Sequence, residues 1–292
     1  MTIGTDYLTI HKLLLIVAGA VSLTSLAAQP PNASTPDRVV LTPGSSSVER
    51  TRYESAVVEL ALNKSKARFG DYTLVYHDIA YSRTRTTRLL TEGNEVNVIT
   101  APHLALDPKL PPNALTTIRI PLLKGMLGKR QLIVRRDRLA EFEQIENLTQ
   151  LRQFTAGLGF DWSDNLFFER NQLPFFTGTS IAQLFNMLRH QRFDYFPLGL
   201  VEASSALANS GMAQELAIVE NVMIEYPLPV YIQVSANKPQ LAQRLEFGLQ
   251  QAQADGSLQA LFNYHYGDLA ERTKHALVLP LQDLAPGSYR HH

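Results

Sequence analysis

The chain has 292 residues, enough for one large or two medium domains with cores of their own. Hydrophobic residues make up 45% and charged residues 18%, a globular balance that excludes a disordered chain. Lys+Arg and Asp+Glu number 27 each, so a nucleic-acid face has no basic excess to draw on, and the absence of cysteine excludes cysteine-based zinc and haem sites.

In chain order, His11 and Lys12 precede the apolar run Leu13–Leu23 and then Ser25-Leu26-Ala27-Ala28. That is the pattern of a secretory signal peptide cut near Ala27 or Ala28, and the run is short for a membrane span of about 20 residues. Residues 1–28 are therefore expected to be a signal peptide. A bacterial lipoprotein is excluded because it needs a cysteine at its cleavage site, and a soluble periplasmic protein is the expectation. Residues 29–37 (QPPNASTPD) read as a flexible leader.

The first strand is expected at Arg38–Thr42, followed by the turn Pro43–Ser47. A helix should run from about Val48 to Arg68, with Tyr53, Val57, Leu60 and Ala61 on one face and Gly70 past its end. Strand Tyr72–Tyr76, helix Ser82–Thr91 and strand Glu95–Ala101 complete a βαβαβ order, which predicts a parallel sheet. Thr117–Leu123 and Arg130–Arg135 are extended runs of the kind that pass from one lobe to another, as is Pro227–Ser235. Helices are expected within Asp137–Phe154, at Ala203–Gly211, from Pro239 to Gly256 and at Leu258–Tyr266, with an irregular tail from Ala276.

Between these lies Phe176–Glu202 (FTGTSIAQLFNMLRHQRFDYFPLGLVE). Ser180 is an N-cap with Gln183 three residues on to complete a capping box, and Ile181, Leu184, Phe185 and Leu188 form one apolar face. The loop Phe176–Thr179 presents backbone N–H groups at a helix start, which suits an anion. Phe193–Phe196 reads as a strand stopped by Pro197 and Gly199.

Three motifs then carry a resemblance. They are YIQVSANKPQLAQRLEFGLQQAQADGSLQALF (Tyr231–Phe262), AGLGFDWSD (Ala156–Asp164) and LFNMLRHQRFDYFPLGLVE. In order and spacing they resemble type II periplasmic solute-binding proteins of family 3, the polar amino-acid type that serves ABC transporters. The resemblance covers about Arg38–Gly267. It implies an α/β fold of two lobes, each a mainly parallel sheet flanked by helices, joined by two hinge crossings near Gln131–Val134 and Pro229–Gln233. Lobe 1 would hold 38–131 plus 232–283, lobe 2 would hold 132–231, and 284–292 would be a tail.

A solute would be trapped between the lobes and presented to a membrane permease or a sensor. The partners expected are therefore a small-molecule solute and a membrane protein, with no nucleic acid, no cofactor and no metal, and the chain is expected to be a monomer. The resemblance places the ligand site at Gly44 and Ser45, Thr100 and His103, Asp161 and Trp162, Thr179 and Ser180, and Glu202. It also implies an arginine after the third strand to clamp an α-carboxylate, but Thr100–Leu106 holds none, and Leu198-Gly199 stand where an acidic residue would pair the α-ammonium. Arg83 or Arg85 is the candidate replacement clamp, against a solvated helix face. The alternatives are a dehydratase-like enzyme on the same fold, for which only Glu202 and His103 could serve as acid or base, and an orphan binding protein that acts through a protein partner.

Overall fold

The computed structural model describes residues 37–45, 47–77, 82–102 and 110–284. The expected signal peptide, all but the last residue of the expected leader, His103 and residues 285–292 of the expected tail lie outside the described residues. No helix among the described residues is long and apolar enough to cross a membrane.

Among the described residues the strands sort into two sheets. The first has five, in the order β2 (Tyr72–Tyr76), β1 (Asp37–Thr42), β3 (Val98–Pro102), β10 (Val230–Ser235) and β4 (Leu115–Ile118). The second has six, in the order β11 (Leu277–Pro280), β9 (Leu216–Glu225), β5 (Lys129–Arg135), β8 (Tyr195–Gly199), β6 (Ala156–Gly159) and β7 (Phe175–Gly178). As the βαβαβ order predicts, β1 is parallel to both β2 and β3, and β6 is parallel to β7 and β8. β5 and β10 enter antiparallel. Strands covered on both faces read as unbroken apolar runs, and Val39–Leu41 and Leu132–Val134 are buried throughout.

Helix α1 (Val48–Phe69) starts where the sequence places it, because the Ser47 hydroxyl accepts from Arg50 N at 3.4 Å. Its apolar face (Tyr53, Val57, Val58, Ala61, Leu62) is fully buried and packs on α8 (Pro239–Ala254). Burying each large apolar side chain contributes about 1.5–3 kcal/mol. Apolar residues of both sheets join one continuous core through Leu122, Leu123 and Tyr226.

Four features depart from the sequence reading. The runs Gln131–Val134 and Pro229–Gln233 are not the crossings: β5 pairs along its length with β8 and β9, and β10 with β3 and β4. The chain changes sheet in the stretches between, 119–128 and 226–229. Those stretches lie side by side, with Tyr226 N donating to Gly128 O at 3.2 Å and Leu122 N to Val230 O at 3.0 Å. A Cβ on Gly128 would fall 2.0 Å from Tyr226 O, so glycine is what lets them approach.

Second, Leu277–Pro280 forms β11 and pairs parallel with β9, so the tail returns to the second sheet instead of staying irregular. Third, Asp37 opens β1 opposite Tyr72 and does not belong to the leader. Fourth, Pro197 sits inside β8. The β6 ladder touches β8 only at Ala156↔Tyr195, so beyond that point no partner on this side requires the N–H that proline lacks.

Candidate functional site

The carboxyl ends of β1 and β3 from one sheet, and of β6, β7 and β8 from the other, open on the same cleft. This is where open α/β sheets place ligands. A cavity of about 370 Å³ lies there, lined from the first lobe by Gly44, Ser45, Arg50, Arg83 and Thr86, and from the second by Arg130, Asp161, Trp162, Asp164, Thr179 and Glu202. A second cavity of about 590 Å³ adjoins it and shares Asp161, Trp162, Thr179, Ile181 and Glu202. Its remaining walls combine Phe160, Phe185, Leu198, Ala206 and Met212 with uncharged polar residues such as Asn186, Ser205 and Asn209, so the cleft has a charged half and a more apolar half without cations among the described residues.

A chain of buried charges runs through the charged half. Thr100 Oγ1 donates to Glu54 Oε2 at 2.6 Å, and Arg50 Nε donates to Glu54 Oε1 at 2.6 Å. Arg50 Nη1 reaches across to Glu202 Oε1 at 3.2 Å, where Ser45 Oγ also donates at 3.1 Å. Glu202 Oε2 lies 3.8 Å from Arg130 Nη1. Arg130 Nη2 pairs with Asp164 Oδ1 at 2.6 Å, and its Nε donates to Tyr226 OH at 2.8 Å. Tyr226 in turn donates to Asp164 Oδ1 at 2.6 Å. The network therefore ties α1 and the β1 turn of the first lobe to the β8 end of the second, through one glutamate.

Burial on its own pulls both guanidinium groups down, but their carboxylates outweigh it. Glu54 and Glu202 hold Arg50 above its ordinary value, and Asp164, with Tyr226 and Glu202, does the same for Arg130. Burial pushes the Glu54 carboxyl up, against the pull of Arg50 and Thr100. The two contacts of 2.6 Å onto Glu54 favour the ionised pair. Tyr226 is held well above the ordinary phenol range, first by burial and then by Asp164.

The structure places the sequence candidates unequally. Asp161, Trp162, Thr179 and Glu202 line both cavities, Gly44 and Ser45 the smaller and Ser180 the larger. Thr100 is 2% exposed and lies beneath the cleft as a partner of Glu54. Gly44 has a steric task, since a Cβ there would fall 1.8 Å from Thr100 O. Arg83, one of the two candidate replacement clamps, lines the smaller cavity.

One expectation is corrected. Phe176–Gly178 belongs to strand β7 and not to a loop, and the N–H of Thr179 is already taken. Ser180 caps α6 (Ile181–Arg189), its Oγ accepting from Gln183 N at 3.1 Å. The Gln183 side chain returns to Thr179, accepting from its N at 2.6 Å and its Oγ1 at 2.9 Å, one residue earlier than a standard capping box.

Arg50, Glu54, Arg130, Asp164 and Tyr226 were not legible as site residues. Arg50 and Glu54 stand at i, i+4 beside the apolar face that Tyr53 and Val57 define, which was the one available signal. Arg130 shares its strand face with buried Leu132 and Val134.

No family model matches the chain, and no curated protein matches it in sequence. Its fold is similar to solved structures. One is an arginine third transport system periplasmic binding protein from Legionella pneumophila, with TM-score 0.58 and 13% identity, covering 78% of this chain and 99% of that one. Another is an ancestral arginine-binding protein bound to arginine, with TM-score 0.57 and 12% identity, covering 79% of this chain and 98% of that one. A third is a double mutant of the VFT2 domain of Bordetella pertussis BvgS, with TM-score 0.56 and 14% identity, covering 78% of this chain and 92% of that one. The likeness shows the fold, the two-lobed type II periplasmic-binding-protein architecture.

Proposed function

We propose that this chain is a periplasmic solute-binding protein that traps a small polar or anionic solute between its lobes and presents it to a membrane importer or sensor. The observation that carries this reading is the interlobe cleft itself. Its walls come from both lobes, Arg50, Arg130 and Asp164 in them are buried, and one carboxylate bridges the two sides. Hinge closure on a solute needs such a two-sided site on paired connecting segments, and 119–128 with 226–229 supply them. Fold-level analogy with the transport and arginine-binding proteins above adds to this reading, as analogy. The signal-peptide pattern of residues 1–28 supports export to the periplasm.

A solute screen by thermal shift tests the proposal. A true solute raises the melting temperature with concentration by mass action, to about 2.7 kcal/mol at a hundredfold excess over Kd. The same solute at saturation should reduce the radius of gyration in small-angle scattering. A screen in which no small polar or anionic solute raises the melting temperature would sink it.

A further inference from the structure

We propose that the junction of the two cavities is a carboxylate site, and that its solute is a carboxylic acid with an apolar body. This rests on the solute-binding reading above and names the substrate class of that cleft.

The chain's own Glu202 sits on the donors of this site. Its Oε1 accepts from Ser45 Oγ at 3.1 Å and Arg50 Nη1 at 3.2 Å, and its Oε2 lies 3.8 Å from Arg130 Nη1. A hydroxyl and two guanidinium groups converging from opposite lobes form the donor set a carboxylate needs. The set also has spare capacity. Arg50 is 5% exposed and lines the smaller cavity, and its Nη2 has no hydrogen-bond partner among the described residues. A buried donor left unmade costs free energy that an incoming oxygen returns.

Glu202 is also free to leave. It occupies the N-cap position of α7 (Ala203–Ser210), yet its side chain makes no capping bond, so the helix start does not depend on it.

The apolar body follows from where Glu202 stands. It lines both cavities, so a carboxylate that takes its place continues into the larger one. Trp162, Ile181, Phe185, Leu198 and Met212 give that space its apolar walls beside the uncharged Asn186, Asn209 and Ser205, and no Lys, Arg or His lines it among the described residues. An α-ammonium finds little there. Glu54 is committed to Arg50 and Thr100, and Asp164 to Arg130 and Tyr226. Asp161 remains, exposed at the mouth.

Trp162 is the chain's single tryptophan, so its fluorescence reads binding directly. The probes are phenylacetate and hexanoate, with acetate, sodium chloride and L-phenylalanine beside them. Both apolar acids should shift the signal saturably, acetate should bind more weakly, and L-phenylalanine should bind more weakly than phenylacetate. Glu202→Gln keeps the side chain's size but not its charge. It should bind phenylacetate about tenfold tighter than the wild type, because the internal competitor is weakened. Should that variant fail to fold, Glu202→Asp, which pulls the carboxylate back from Arg50, should show the same tightening.

The inference is overturned by equal affinity in the wild type and the folded Glu202 variant, by a chloride response equal to that of phenylacetate, by L-phenylalanine binding best, or by neither apolar acid binding either protein. If some other solute still raises the wild-type melting temperature, the inference fails and the solute-binding reading stands. If no solute of any class does so, both fail.

Discussion

Arg244 and Arg50 are both arginines withdrawn from solvent, and the two regions that hold them use the charge differently. Arg244 lies where α1, α8 and the start of β1 meet. Its Nε donates to Ser65 Oγ at 3.0 Å, Nη1 to Asp37 Oδ2 at 3.0 Å and Asp71 O at 3.1 Å, and Nη2 to Gly70 O at 2.5 Å. Every nitrogen is used, and every partner belongs to the first lobe. Arg50 stands at the cleft, spends Nε on Glu54 in its own helix and Nη1 on Glu202 in the other lobe, and leaves Nη2 unpartnered among the described residues. A fully partnered buried arginine is a clamp. A partly partnered one between two bodies leaves interaction energy for something that arrives later.

The largest expected effect tests the clamp. Arg244→Met removes a fully buried side chain and strands Asp37, Ser65 and two backbone carbonyls. Each buried group left without its partner costs roughly 1–3 kcal/mol, and the 37% exposed Asp37 less, read as a lowered urea midpoint with an unchanged slope. The Trp162 response to solute should survive at temperatures where the variant is folded. If binding disappears with stability, the two arginines do not differ as described.

The next effect sharpens the other side. A double-mutant cycle on Arg50→Gln and Glu202→Gln should give a coupling of roughly 0.5–3 kcal/mol, as expected for contacting charged partners. Either single variant should also swell the protein in small-angle scattering, since the pair joins two lobes. A coupling near zero with an unchanged radius would reduce the bridge to an incidental contact.

The same contrast marks what the sequence made legible. Local signals were enough for the architecture. Ser180 caps the helix it precedes, and the βαβαβ order yields β2-β1-β3. Elements whose identity depends on distant partners were misplaced. Pro197 reads as a strand stop until one sees where the β6 ladder ends, and Leu277–Pro280 reads as tail until β9 is beside it. For the site, loop positions after parallel strands could be named because topology puts them at the cleft. Arg50, Glu54 and Arg130 lie inside a helix and a strand, where a charged residue normally signals solvent. Each has a partner in its own lobe, and Glu202 then joins Arg50 of the first lobe to Arg130 of the second.

The smallest expected effect lies on α1 itself, near the cleft arginine but outside the charge network. His265, on α9 (Ser257–Tyr266), packs edge-on against Tyr53 with ring centroids 5.4 Å apart. Tyr53 OH donates to Leu122 O at 2.7 Å, so this contact also reaches the first crossing. Partial burial lowers the His265 pKa below its ordinary 6.5, against Glu49, which raises it, and with Arg52, which lowers it further. The unfolded chain therefore binds the proton more readily than the folded one. The stability linked to His265 is fully present above pH 6.5 and is lost as pH falls through the lowered value. His265→Gln should flatten this part of the stability profile, read as the difference between wild-type and variant urea midpoints across that range. At each pH phenylacetate binding should be the same in both proteins, because His265 packs on Tyr53, which is not a partner of Arg50, Glu54 or Glu202. A variant whose binding changed with pH in step with its stability would show that the helix carries packing changes into the cleft, and that the clamp and the site are not separable.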